Sequence, residues 1–523
     1  MNENERTYSI IFALSMFLFL LNYFVQGQIN FSYSDNFGLI GKMGIFFWMG
    51  YIGVIVLVYY HFTNFENIPE IYVFLTLSLL VIYLIATPVF YEYLPRFEDS
   101  WAHSYLAERM YETGKVASTG NIYEQYPGSF LFYGLLFEFI PIYSVMKFLP
   151  IVFYLFGVVV VFLTFKELDS SRTSFLITLL YMFFSWTVED NHLSPQFLML
   201  NLYLVFMFIL IKMLKAKKTE GIFWFIIVIM ILVFSFSHLF TQIFIILILG
   251  VMTLAIKKFR KGISLILILF LAIFLVHETF FTIIMRQFVE DVISVFSNFS
   301  LDSLFSNAES RIGNETLSRK IIVRSRLFIL GLSLILGFIG MVKMYRSGLK
   351  LESKLIFSWA FSLIPFVIII FFVSRSEFVE RFALVSSLPL AVGAGYLLKG
   401  KKTMAFILLF LVLISPVYFI AKYGNESYES KSLQRLRADC YSIYFDPDCE
   451  KDFALMHSPL DYDFESLGET HFTVTREEVM AASIYGNQGS VENILELVEW
   501  KENEGNLNRV YSTNEAWSYV SIQ

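Results

Sequence analysis

The chain has 523 residues, of which 57% are hydrophobic, 18% aromatic and only 16% charged, with a formal net charge of −6. Soluble domains carry about 25% charged residues, and a mean hydropathy of +0.63 excludes a string of soluble domains. The apolar residues run unbroken, as in 222–234 (IFWFIIVIMILVF) and 263–276 (ISLILILFLAIFLV). The composition is that of a polytopic integral membrane protein. The first run, 8–26, is too long and too aromatic for a cleaved signal peptide and lacks a small-residue cleavage site.

A spanning helix needs about 20 largely apolar residues. That ruler predicts about 13 transmembrane helices, at 8–26, 43–61, 69–88, 142–165, 173–187, 196–214, 221–237, 240–256, 262–282, 326–346, 354–373, 383–398 and 403–420. Lys and Arg cluster at 213–218, 257–262, 343–354 and 399–402. These linkers are separated by even numbers of spans, so the positive-inside rule places all of them in the cytoplasm. The N-terminus is then cytoplasmic. Segments 27–42, 88–141, 188–195, 283–325 and 374–382 and the tail from 421 lie outside. The sequons at Asn30, Asn298, Asn314 and Asn425 all fall in outside segments.

The outer loop 88–141 holds a predicted helix from Glu98 to Thr113. Asp99 and His103 are then i and i+4 on one face, while Glu98 sits about 100° around the helix. The helix dipole keeps an acid in the first turn ionised, and an ionised carboxylate at a membrane border suits a general base. The same pattern also fits an ordinary interfacial helix with a charged first turn. The short outer turn TVEDNHLSPQ crowds Glu189, Asp190 and His192 before Pro195 and Gln196, and His238 occupies the next outer turn. Solvated helix caps account for these residues as well as a ligand-binding role does. Arg375 and Arg381, in SRSEFVERF, run against the inside bias for positive charge. Guanidinium forks suit phosphate, and snorkelled pairs with Glu377 and Glu380 are the alternative.

The stretch EDSWAHSYLAERMYETGKV, followed by NIYEQYPGSFLFYGLLFEF, resembles the first outer loop of GT-C membrane glycosyltransferases. The likeness is greatest to the protein O-mannosyltransferase and aminoarabinose-transferase group. Ala107, Met110, Thr113 and Gly114 fall in register with that pattern, which sets Asp99 on the presumed catalytic base and Tyr126 and Pro127 on a Pro-rich turn before a re-entrant helix. The family's second acid falls on Ser100, and this chain carries its second carboxylate at Glu98 instead. Three spans precede the loop where the family usually has one, implying an added N-terminal hairpin. Archaeal members share an Asp-x-x-x-His start and a Ser-Pro-Gln element, here Asp99 to His103 and Ser194 to Gln196. The resemblance implies positioning roles for His103, Tyr126, Glu189, Asp190, His192, Gln196 and His238. It implies lipid-phosphate binding by Arg375 and Arg381. It requires no cofactor, although Asp99, His103, Asp190 and His192 are of types that bind a divalent cation.

The tail 421–523 is different in kind: it holds 19 acidic and 8 basic residues, leaving 26 acidic and 31 basic in 1–420. It is expected to be a small extracytoplasmic α/β domain, with a helix from Ser490 and strands in VYSTNEAWSYVSI. Its two cysteines, Cys440 and Cys449, are expected to pair in an oxidising compartment. The fold class expected is thus an all-α, GT-C-like membrane domain over 1–420 with that appended domain. The expected function is transfer of a sugar from a polyprenyl (dolichyl) phosphate to a protein, lipid or glycan acceptor on the outer face. Membrane lipids surround it and no nucleic acid partners it. A secondary transporter or flippase would show inverted repeats, which are not evident. A polysaccharide polymerase or ligase would rely on a late basic loop.

Overall fold

Hydrocarbon offers the backbone no hydrogen-bond partner, so apolar runs of this length fold as helices. The computed structural model describes residues 2–29, 37–92, 95, 98–116, 125–184, 192–215, 221–257, 260–280, 317–347, 351–363, 376–399, 403–420, 471–475, 507–512 and 516–521. The helices are α1 (Glu3–Gln26), α2 (Ile45–Thr63), α3 (Ile71–Tyr91), α4 (Glu98–Thr113), α5 (Gly128–Phe137), α6 (Ile142–Lys166), α7 (Ser171–Phe184) and α8 (Pro195–Lys215). They continue as α9 (Gly221–Ser235), α10 (Leu239–Ala255), α11 (Arg260–Phe280), α12 (Leu317–Arg346), α13 (Leu351–Phe361), α14 (Ser376–Leu398) and α15 (Thr403–Phe419).

Every predicted span overlaps one of these helices. Among the described residues, 7 helices are long and apolar enough to cross a membrane: α1, α2, α3, α6, α8, α11 and Lys320–Arg346 within α12. Shorter apolar helices, of 10–17 residues, are α5, α7, α9, α10, Leu384–Leu398 within α14 and Phe406–Phe419 within α15. The two spans predicted at 221–237 and 240–256 are helices of 15 and 17 residues, separated by Ser237 and His238. At 1.5 Å per residue neither reaches the roughly 30 Å of a hydrocarbon core.

Helix ends and irregularities are met by side chains. Asn2 and Glu5 form a capping box on α1. At the start of α2, Gln26 Oε1 accepts from Gly44 N (2.8 Å) and Asn22 Oδ1 from Phe47 N (3.2 Å). Residues of α1 therefore cap α2, and the N-terminal hairpin is held by its own polar groups. In α3 a π-helical turn, Ile82–Ala86, precedes Pro88, and Thr87 Oγ1 donates to Tyr83 O (2.7 Å).

One end of the bundle is tied by ion pairs. Lys166 meets Glu70 at 2.5 Å, Lys212 meets Glu167 at 3.3 Å and Lys399 meets Asp169 at 2.8 Å. Partial burial works against the charge on Glu70, but hydrogen bonds from Lys166 and Ser171 outweigh it and hold its carboxyl below the ordinary range. The same balance, with Lys399 and the Ser170 amide as donors, lowers Asp169. These pairs thus add stability at neutral pH that is lost as pH falls through the lowered values.

Separately, β1 (His471–Thr475), β2 (Leu507–Ser512) and β3 (Ala516–Ser521) form an antiparallel sheet in the order β1-β3-β2, with an irregularity between Arg509 and Tyr511. The predicted helix from Ser490 and the pair Cys440 and Cys449 lie outside the described residues.

The closest helix crossing is between α12 and α14. A Cβ on Gly340 would stand 1.7 Å from Gly393 O, and one on Gly393 would stand 2.2 Å from Gly337 O. The obstacle is backbone in both cases, so a methyl group must push the helices apart. Gly340→Ala is expected to cost about 1–3 kcal/mol, the range for overpacking, read as a lower Tm in detergent. Gly331→Ala, in the same helix with nothing within 4 Å, should leave Tm unchanged or raise it.

Candidate functional site

The end of the bundle away from the ion pairs gathers most of the predicted site residues. Its central element is α4, whose first two residues are Glu98 and Asp99. Ser100, His103, Ser104, Ala107 and Met110 are buried, which defines the inward face. Asp99 stands at i−4, i−7 and i−11 from the buried His103, Leu106 and Met110. Glu98 shares the register of Arg109 and Glu112, which are not buried. The helix ends at Gly114, whose φ of +60° suits the left-handed stop that glycine tolerates; its amide donates to Met110 O (3.1 Å).

α5 packs on α4 at close range. A Cβ on Gly134 would lie 2.7 Å from Ala107 O and 2.6 Å from Tyr111 Cβ. Small residues at 107 and 134 are therefore what let the two short helices act as one unit.

The segment before α8 completes this wall. His103 Nδ1 lies 2.9 Å from Leu193 O, and because a carbonyl only accepts, Nδ1 carries the proton. Ser100 Oγ accepts from Leu193 N (3.3 Å) and Tyr133 OH donates to Ser194 O (2.7 Å). The His103 and His192 rings stack at 6.1 Å and 17°. The Ser-Pro-Gln element is a helix start: Ser194 Oγ accepts from Phe197 N (3.1 Å), and Pro195 is the first helical residue, where its missing N–H costs nothing.

Beside it, Gln196, Leu200, Tyr203, His238, Phe240, Thr241, Phe244, Leu384 and Val385 line a small open cleft between α8, α10 and α14. The polar Gln196, His238 and Thr241 sit at helix starts and the apolar side chains lie further along α8 and α10. His238 also has a structural task, since it caps α10 by accepting from Thr241 N (3.3 Å). Arg381 is a residue of α14, three and four positions before Leu384 and Val385, one turn from the cleft.

The structure thus stacks His103 on His192 and sets Gln196 and His238 on one cleft, with Asp99 in the α4 register of His103 and Arg381 one turn along α14 from Leu384 and Val385. Glu189, Asp190 and Arg375 lie outside the described residues. Tyr126 lies, as expected, in the turn before α5; it is buried, and its hydroxyl donates to Glu278 Oε1 (2.7 Å), so it anchors that turn. Among the described residues no three His, Cys, Asp or Glu side chains gather as metal ligands.

Sequence reasoning missed Glu278 with His277 at the end of α11, and Arg326 in α12. Arg326 is buried, and its Nε and Nη2 donate to Tyr418 O at 3.3 and 2.9 Å. The signal was available, since ionisable residues within apolar helices are expensive and function is their usual reason. Neither a model of any protein family nor any curated protein sequence matches this chain.

Glu108, half-buried on α4, is a gauge of this assembly. Burial, reinforced by Glu112, pushes its carboxyl up to about 7. Between the usual carboxylate range and that value the folded chain holds a proton the unfolded chain lacks, so stability falls as pH rises through the interval. Tm in detergent should fall from pH 5 to pH 8, and Glu108→Gln should reduce that fall.

Proposed function

We propose that this protein is a membrane glycosyltransferase of the GT-C type. It moves a sugar from a polyprenyl-phosphate donor to a hydroxyl acceptor at the α4 end of the bundle. The observation that carries this reading is one juxtaposition. Asp99 opens a helix in the register of its buried face, and that face is walled by the 192–196 segment. The same segment borders a cleft whose α14 side leads, one turn on, to Arg381.

In this reading the Asp99 carboxylate takes the proton of the acceptor hydroxyl, whose oxygen attacks the anomeric carbon. The bond from that carbon to the phosphate oxygen breaks, and its electron pair leaves on the lipid phosphate. Arg381 stabilises the charge developing there. The cleft, with polar groups at its helix-start end and apolar walls beyond, suits an amphiphile. A lipid-linked donor needs no nucleotide loop, and the chain carries neither G-x-x-x-x-G-K nor G-x-G-x-x-G. His103 and His192 line the acceptor side, and a divalent cation is compatible with them.

The orientation belongs to the same proposal. The ion-paired end includes Lys399 of the cluster 399–402 and Lys212 next to the cluster 213–218, which supports a cytoplasmic place for that end, with the α4 end and the tail outside and thirteen helical segments that cross or enter the bilayer. A maleimide probe on Lys115→Cys, in a chain with Cys440→Ser and Cys449→Ser, should react in intact cells. One on Lys215→Cys should not, and the reverse pattern overturns the orientation.

The chemistry is tested with purified protein in detergent, radiolabelled polyprenyl-phosphate sugars and a panel of acceptors. Asp99→Asn is nearly isosteric and should lower transfer by about 10²–10⁴-fold, or about 3–5 kcal/mol of barrier, while Glu98→Gln costs less. If Glu98→Gln abolishes transfer and Asp99→Asn does not, the roles are exchanged. If neither matters, α4 is structural and the reading fails. Arg381→Lys keeps the charge but loses the fork, and should weaken donor binding by about 1–3 kcal/mol.

A further inference from the structure

The Tyr126–Pro127–Gly128 turn is held from three sides by residues distant in sequence. Tyr126, His277 and Glu278 are 3%, 1% and 8% exposed. Tyr126 OH donates to Glu278 Oε1 at 2.7 Å, and His277 Nδ1 approaches the same oxygen at 3.3 Å. The Tyr126 ring lies 5.2 Å from the His277 ring, and Phe236 meets that imidazole edge-on at 4.9 Å. Gly128 N donates to Phe236 O at 2.7 Å, in a space so tight that a Cβ on Gly128 would stand 2.3 Å from Ser237 Oγ. A carboxylate and an imidazole at the end of an apolar helix are costly to bury, and packing alone would be served by apolar side chains.

We infer that Glu278 and His277 are positioning residues that act through Tyr126. They pin the turn from which α5 starts, and α5 is in backbone contact with α4 through Gly134 and Ala107. The clamp therefore sets where the α4–α5 pair, and with it Asp99, stands against the 192–196 wall. The link to catalysis rests on the glycosyltransferase reading; the clamp does not.

The test uses the full chain in detergent, with hydrogen exchange of the Tyr126–Phe137 region and initial rates measured together. Tyr126→Phe removes only the donating hydroxyl, and Glu278→Ala removes the acceptor. Each should speed exchange in that region by roughly tenfold or more, as expected for a lost bond to a charged group. Exchange in α8 should stay unchanged. The double variant should be little worse than either single one, because both break the same bond. Glu278→Gln keeps an acceptor oxygen and should recover most of the protection. With acceptor saturating, kcat should fall in step with exchange while KM for donor stays near its original value.

Unchanged exchange in Tyr126→Phe overturns the clamp. Faster exchange with unaltered kcat overturns the positioning role. If the unmodified protein transfers no sugar at all, the functional reading falls, and the exchange measurement alone decides whether Glu278 and His277 hold the turn.

Discussion

A backbone amide or carbonyl left without a partner in hydrocarbon costs several kcal/mol, and the arrangement of this chain follows from avoiding that cost. Within the apolar helices the bonds are internal. At several helix starts and at one slip a side chain takes over: Asn22 and Gln26 at α2, Thr87 in the π turn of α3, Ser194 at α8, His238 at α10. Polar side chains are thereby concentrated at helix ends. The chemistry-bearing residues gather there for the same reason, since these are the places where a polar group is tolerated.

The two ends use their polar groups differently. Ion pairs at one end, partly exposed, are of the kind worth about 0–1 kcal/mol each, and their number matters more for which loops meet than for stability. At the α4 end the groups are buried side chains bonded across long sequence separations, His103 and Tyr133 to the backbone carbonyls of Leu193 and Ser194 and Tyr126 to the Glu278 carboxyl. Such bonds are expensive to leave unmade, so they specify one arrangement of the loops. A site that must hold a base within reach of an acceptor needs that kind of definition.

Small residues do the complementary work. Without a solvent-driven force between helices in lipid, close approach of backbones is a main source of packing energy. Gly337, Gly340 and Gly393 join α12 to α14, the helix of Arg381, while Gly134 and Ala107 join α5 to α4, the helix of Asp99. Both candidate functional helices are thus located by contacts that no larger side chain would permit.

Local properties of the chain determined much of this. Uninterrupted apolar runs fix the helices, the acidic start and the glycine at 114 bound α4 at Glu98 and Thr113, and Ser194 followed by Pro195 marks the start of α8. Each depends on residues a few positions apart. Helix ends were less legible: the run read to 237 closes at Ser235, where the turn before His238 interrupts the backbone ladder. What only the tertiary structure decided is which ends meet. The stacking of His103 on His192, the cleft from Gln196 and His238 to Leu384, and the bond from Tyr126 to Glu278 join segments that are 42 to 188 residues apart. The bond that anchors Tyr126 was not legible, since its partner is 152 positions away and a hydroxyl's role is set by what it bonds. Composition and spacing encode local backbone satisfaction; the pairing of distant polar groups is settled only when helices pack and each buried group must find its partner.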